Sequence, residues 1–110
     1  MNQDIIKRIC TFRDERNWAQ FHNPKDLAIS VSLEASELLE LFQWMTPEEA
    51  VKAKLPELKD ELADVLIYCV LMADRLQLDL DEIIKHKLEK NGDKYPVDKA
   101  YNRSDKYDKL

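Results

Sequence analysis

The sequence predicts an all-α protein, a four-helix-bundle unit with a short extra helix. Three observations carry that prediction. Apolar residues recur at helical spacing, and no stretch alternates at the strand period of two. The 110 residues hold a single glycine, too few for a protein of hairpins. A helix-start signature, Thr46-Pro47-Glu48-Glu49, stands between two periodic stretches: a cap, a proline at the first position, and an acid three after the cap.

The elements follow in order. Residues 3 to 18 place Ile5, Ile6, Ile9, Cys10 and Phe12 near one face, with Lys7, Arg8, Asp14 and Glu15 mostly opposite. That is an amphipathic helix. Trp18 to Pro24 reads as a loop, because Pro24 pushes Asn23 away from helical angles. Asp26 is the expected cap of a second helix running to about Trp44. Thr46 then opens a short helix to about Ala53, and Pro56 opens a long one to about Leu76. Asp79 or Asp81 caps a last helix that is expected to end at Asn91-Gly92. Gly92 stands where a left-handed terminating residue belongs. Residues 1–96 form the expected domain. Residues 97–110 are a polar tail without periodicity, expected to order only on a partner chain or a substrate.

Bulk chemistry narrows the partners. Hydrophobic residues make up 45% and charged residues 35%, with a formal net charge of −5. That acidity argues against nucleic acid and against a membrane surface. No apolar run approaches the ~18 residues of a spanning helix. The first residues lack the apolar centre of a signal peptide. Cys10 and Cys69 form no CxxC and read as free thiols of a cytoplasmic protein. The second half of the 56–76 helix is apolar on nearly all sides. One chain of this size would leave part of it wet, so a homo-oligomer is expected.

Four carboxylates need a different account. Glu34 and Glu37, then Glu61 and Asp64, are each spaced i, i+3, which puts each pair on one helix face. Asp64 is the only charge between residues 62 and 73. No Lys or Arg lies between residues 27 and 51, or between 62 and 74, to neutralise these acids locally. Buried ionised carboxylates are costly unless something positive meets them. A hard divalent cation answers that need with oxygen ligands alone. A helical di-iron centre would want Glu-x-x-His motifs, and zinc would want His or Cys at ligand spacing. Neither pattern is present. The ligand set favours Mg²⁺, with Mn²⁺ as a substitute, and hence phosphate-ester or phosphoanhydride chemistry. No GxxxxGK[ST] loop is present, so a nucleotide would not be held in the P-loop manner.

The order Glu34-x-x-Glu37, then Glu61-x-x-Asp64, resembles the all-α nucleoside triphosphate pyrophosphohydrolases of the MazG type. The flanks point to the dCTP pyrophosphatase branch: Arg13-x-Glu15-Arg16-x-Trp18-x-Gln20-Phe21-His22-x-Pro24, Glu40-Leu41-Phe42-Gln43-Trp44, Asp64-Val65-Leu66-Ile67-Tyr68 and Lys94-Tyr95-Pro96. The resemblance spans about residues 3 to 96. It implies a unit that assembles as a homodimer or dimer of dimers. It also implies Mg²⁺-dependent cleavage of a nucleoside triphosphate, dCTP or a related dNTP, to the monophosphate and pyrophosphate. By that resemblance Glu34, Glu37, Glu61 and Asp64 are the catalytic metal ligands, and Glu37 or Glu34 orients the attacking water. Trp18, Trp44 and Tyr68 frame the base, and His22 lies near the nucleotide. Lys87, Asn91, Lys94 and Tyr95 contact the substrate from the last helix. One departure is visible: some members of that branch carry a His on the first helix, where this chain has Ile9 and Cys10. The rival expectation is a non-catalytic helical module that oligomerises or senses nucleotide.

Overall fold

A computed structural model describes residues 1–110. It is all-helical. Two 3-10 turns, Trp18–Phe21 and Tyr107–Lys109, join five α-helices: α1 Gln3–Glu15, α2 Pro24–Glu40, α3 Pro47–Arg75, α4 Leu80–Lys94 and the single turn α5 Val97–Ala100. The helices divide into two compact units, Met1–Leu78 and Asp79–Leu110. No helix is long and apolar enough to cross a membrane.

In the first unit α2 packs along α3, and α1 lies more lightly against α3. The core is small: Leu27 from α2, and Ala50, Val70, Leu71 and Ala73 from α3. An ion pair reinforces the α1 contact. The Arg13 guanidinium is largely covered and donates to Asp74 at 2.7 Å and to its neighbour Asp14 at 2.8 Å. Large apolar side chains remain in solvent on both main helices, Leu33 and Leu39 on α2 and Leu62 and Leu66 on α3.

Several boundaries differ from expectation, each for a local reason. α1 stops at Glu15, not near Trp18, because Asn17 takes a left-handed φ of 53° and turns the chain into the 3-10 segment. The cap of α2 is Asn23, not Asp26. The Asn23 side chain accepts the Asp26 N–H at 2.8 Å, and Pro24 takes the first helical position, where its missing N–H costs nothing. α2 ends at Glu40 rather than Trp44. Trp44 lies beyond a tight turn at a left-handed φ of 64°.

The two helices expected on either side of Pro56 are present and follow one another within α3 across a kink. Lys54 departs to φ −127° and ψ 26°, two residues before the proline. Proline clashes with the preceding turn and removes one hydrogen bond, which interrupts the helix just ahead of Pro56, as expected. Thr46 and Glu49 form the expected capping box. Thr46→Ala is expected to lower stability by about 1 kcal/mol. A denaturant titration checks this; an unshifted midpoint would show that the box contributes nothing.

In the second unit the open cap choice resolves to Asp79, whose side chain accepts the Glu82 N–H at 3.1 Å. Gly92 does not end α4. It is helical, no glycine has positive φ, and the helix runs on to Lys94. Pro96 ends it instead, by forcing Tyr95 out of helical angles. The tail is not left without structure. Tyr107 meets the Tyr95 ring edge-on at 6.2 Å, the Lys94 ammonium sits 4.9 Å from the Tyr107 ring, and Arg103 pairs with Asp105 at 2.9 Å. Residues on both sides of position 96 therefore pack together.

Candidate active site

The i, i+3 spacing sets Glu34 and Glu37 on one face of α2, and Glu61 and Asp64 on one face of α3. Packing α2 on α3 brings the two faces together. Ligand oxygens of Glu34, Glu61 and Asp64 all lie within 4.8 Å of one another. Glu37 is a neighbour of this group and raises the carboxyls of Glu34 and Glu61. Three of the four expected acids thus form one cluster, with Glu37 beside it.

Without a cation the cluster is under electrostatic stress. Desolvation, then hydrogen bonding with Glu37, then the charges of Glu37, Asp64 and Glu61 push the Glu34 carboxyl up to about 7. Glu61 is pushed up for the same reasons, desolvation first. One oxygen of Glu34 and one of Glu61, each Oε2, is buried with no hydrogen-bond partner. Oxygens on one Mg²⁺ stand roughly 3 to 4 Å apart, from Mg–O distances of about 2.1 Å. The oxygen-only donor set, the orphaned atoms and the short separations fit a hard divalent cation.

Beside the cluster α1 and α3 enclose a cavity of about 830 Å³. Asp64 belongs to both features. The cavity wall also includes Trp18, His22 and Tyr68, three of the side chains expected near the base. Tyr68 follows Asp64 by one helical turn, which is why it faces the same space. Most of the rest of the wall is apolar, with Ile5, Ile9 and Phe12 from α1 and Leu66, Ile67 and Leu71 from α3. Phe12 meets the Trp18 ring edge-on at 5.9 Å, and the Arg16 guanidinium caps Phe12 at 3.6 Å.

One expected residue of the first unit is not drawn into this space. Trp44 is 93% exposed and does not line the cavity. Lys87, Asn91, Lys94 and Tyr95 all lie in the second unit. Phe12, Arg8 and Arg13 also line the cavity and were not among the expected site residues, although Arg13 opens the first flank of the resemblance. The signal for Phe12 was present: it continues the Ile5 and Ile9 face of α1. That periodicity marks a covered face but does not tell tight packing from the wall of a cavity.

An all-helical scaffold carrying an acid cluster that could hold a cation, beside a largely apolar cavity roomy enough for a nucleotide, fits a class of nucleotide-handling proteins. The chain belongs to the MazG-like family, whose model matches residues 29–110. It is similar to human dCTP pyrophosphatase 1, 38% identical over 113 residues, an alignment covering 98% of this chain and 66% of the human protein. The bovine dCTP pyrophosphatase 1 is also 38% identical, with 98% of this chain and 67% of that protein covered. The chain therefore spans about two thirds of the length of these relatives. A pyrophosphatase from Archaeoglobus fulgidus, known by crystal structure, superposes with a TM-score of 0.81 at 40% identity. It covers 86% of this chain and 91% of its own.

Proposed function

We propose that this chain is a Mg²⁺-dependent nucleoside triphosphate pyrophosphohydrolase. It cleaves dCTP or a related deoxynucleoside triphosphate to the monophosphate and pyrophosphate. The observation that carries this reading is the acid cluster, with two orphaned buried oxygens, opening beside a cavity walled by Trp18 and Tyr68. Membership in the MazG-like family and the names of the relatives support the same reaction.

Glu34, Glu37, Glu61 and Asp64 would hold the cation. Mg²⁺, or Mn²⁺ in its place, supplies neutralisation of the triphosphate and a lowered pKa for an attacking water. The remaining work belongs to the side chains. Trp18 and Tyr68 offer flat faces for the base, which fixes the nucleotide with its phosphates towards Asp64. The apolar wall excludes water from the base side. Glu37 or Glu34 accepts a hydrogen bond from the attacking water and so orients it. Positioning and charge stabilisation are the main demands of phosphoryl chemistry.

A homodimer or dimer of dimers is part of the same reading. Leu39 is 71% exposed and Leu33 59% exposed, and a second chain would cover such surface. Trp44, Lys87, Asn91, Lys94 and Tyr95 are proposed to meet the substrate in that assembly. Cys10 and Cys69 are free thiols, which suits a reducing cytoplasm.

The test is product analysis with each nucleoside triphosphate. Pyrophosphate release, dependent on Mg²⁺ or Mn²⁺ and abolished by chelator, is expected. Release of orthophosphate would contradict the reaction. Tight nucleotide binding without any product would favour the non-catalytic module.

A further inference from the structure

His22 carries a polar atom that the fold leaves unused. Its Nδ1 is buried and has no hydrogen-bond partner. The backbone holds the ring in place from both sides. The His22 N–H closes the 3-10 turn on the Ala19 carbonyl at 3.1 Å, and the next residue, Asn23, is the cap of α2. The ring lines the cavity together with Trp18 and Tyr68.

Charge narrows what this nitrogen can meet. Burial and the neighbouring Arg13 guanidinium both disfavour the imidazolium, so the ring is held neutral. Arg13 is already bound to Asp14 and Asp74, and Asp64 belongs to the acid cluster. A neutral imidazole attracts phosphate weakly but can read an uncharged edge. In the tautomer that imidazole intrinsically favours, the proton is on Nε2 and the lone pair is on Nδ1.

We propose that His22 is a specificity-determining residue: its Nδ1 accepts a hydrogen bond from the exocyclic amine of the bound base and so favours cytosine over uracil. The inference rests on the hydrolase reading above and names the atom that selects the base. Uracil presents a carbonyl oxygen where cytosine presents its amine, so two lone pairs would face each other. The ring can answer by moving its proton to Nδ1. The preference is therefore moderate, about tenfold, in the range of one neutral hydrogen bond.

The test compares wild type, His22→Phe and His22→Asn by pyrophosphate release from dCTP and from dUTP with Mg²⁺. The quantity read is the ratio of kcat/KM values within one sample, in which the folded fraction cancels. Wild type is expected to favour dCTP about tenfold. His22→Phe should bring the ratio to within about twofold of unity, mainly by slowing dCTP. His22→Asn sets an amide oxygen near the Nδ1 position and should restore a clear preference for dCTP. Calorimetric titration with dCMP and dUMP should show the same pattern without turnover. A structural His22 would weaken both nucleotides equally, and an unchanged ratio in His22→Phe overturns the inference alone. So does an active wild type with no preference between dCTP and dUTP. Absence of pyrophosphate from every nucleotide overturns the hydrolase reading and this inference with it.

Discussion

Asp64→Asn is expected to lose pyrophosphate release by at least about 100-fold, more than the usual loss on removing an outer-shell partner, while the chelated variant melts no lower than the chelated wild type. Asp64 faces Glu34 across the α2–α3 contact and lies one turn after Glu61 on α3, with ligand oxygens of the three within 4.8 Å. Without a cation these like charges oppose the packing that brings them together. Asparagine keeps the shape, so no cavity opens, and it removes one of the repelling charges. It also removes an anionic ligand, so Mg²⁺ is held less well. Wild type should gain melting temperature on adding Mg²⁺ with a non-hydrolysed nucleotide, by mass action, and the variant much less. Paired melts beside a pyrophosphate assay read both effects. Strong destabilisation in chelator would make Asp64 a structural hydrogen-bonding residue. Near-normal turnover would remove it from the metal site.

The same stress should appear as a pH dependence of the metal-free protein. Glu34 titrates at about 7 when folded against an ordinary 4.5. Between those values the folded chain keeps a proton that the unfolded chain has lost. Its stability contribution must then fall as pH rises through that window. Glu61 is shifted in the same direction. His22 works the other way: burial and Arg13 lower its pKa, so its contribution grows as pH rises towards 6.5. The Glu34→Gln variant separates the two. In chelator its melting temperature should match wild type near pH 5. Near pH 8 it should exceed wild type by at least about 2 °C, a resolvable shift for a chain of this size. Saturating Mg²⁺ should stabilise wild type more near pH 8 than near pH 5, where Glu34 holds a proton. A Glu34→Gln melting temperature below wild type at the higher pH would show that the cluster is not strained.

Much of this was legible along the chain because the relevant signals are local. Helical periodicity, the Thr46 capping box and the i, i+3 acids each depend on residues within a turn or two of one another. The acid cluster could be anticipated across helices because charge without a nearby partner demands one. Other features depend on contests between neighbours. Gly92 could terminate α4, but Pro96, four residues on, does so instead. The cavity wall was the least legible part. Arg8, Arg13 and Phe12 come to it from α1 only through the tertiary approach of α1 to α3, which no spacing in the sequence encodes.

The second unit contains no buried side chain, in α4 or in anything after it. Its helix is 15 residues long, near the length at which an isolated helix is only marginal in water. What holds it within its own unit is the Asp79 cap, backbone hydrogen bonds and a few exposed ring and ion contacts. Such a segment belongs at the low end of the range of local opening free energies. Its amides should exchange with solvent far sooner than those around Leu27 and Val70. Any binding event that used α4 would first have to order it, and its affinity would fall by that conformational entropy.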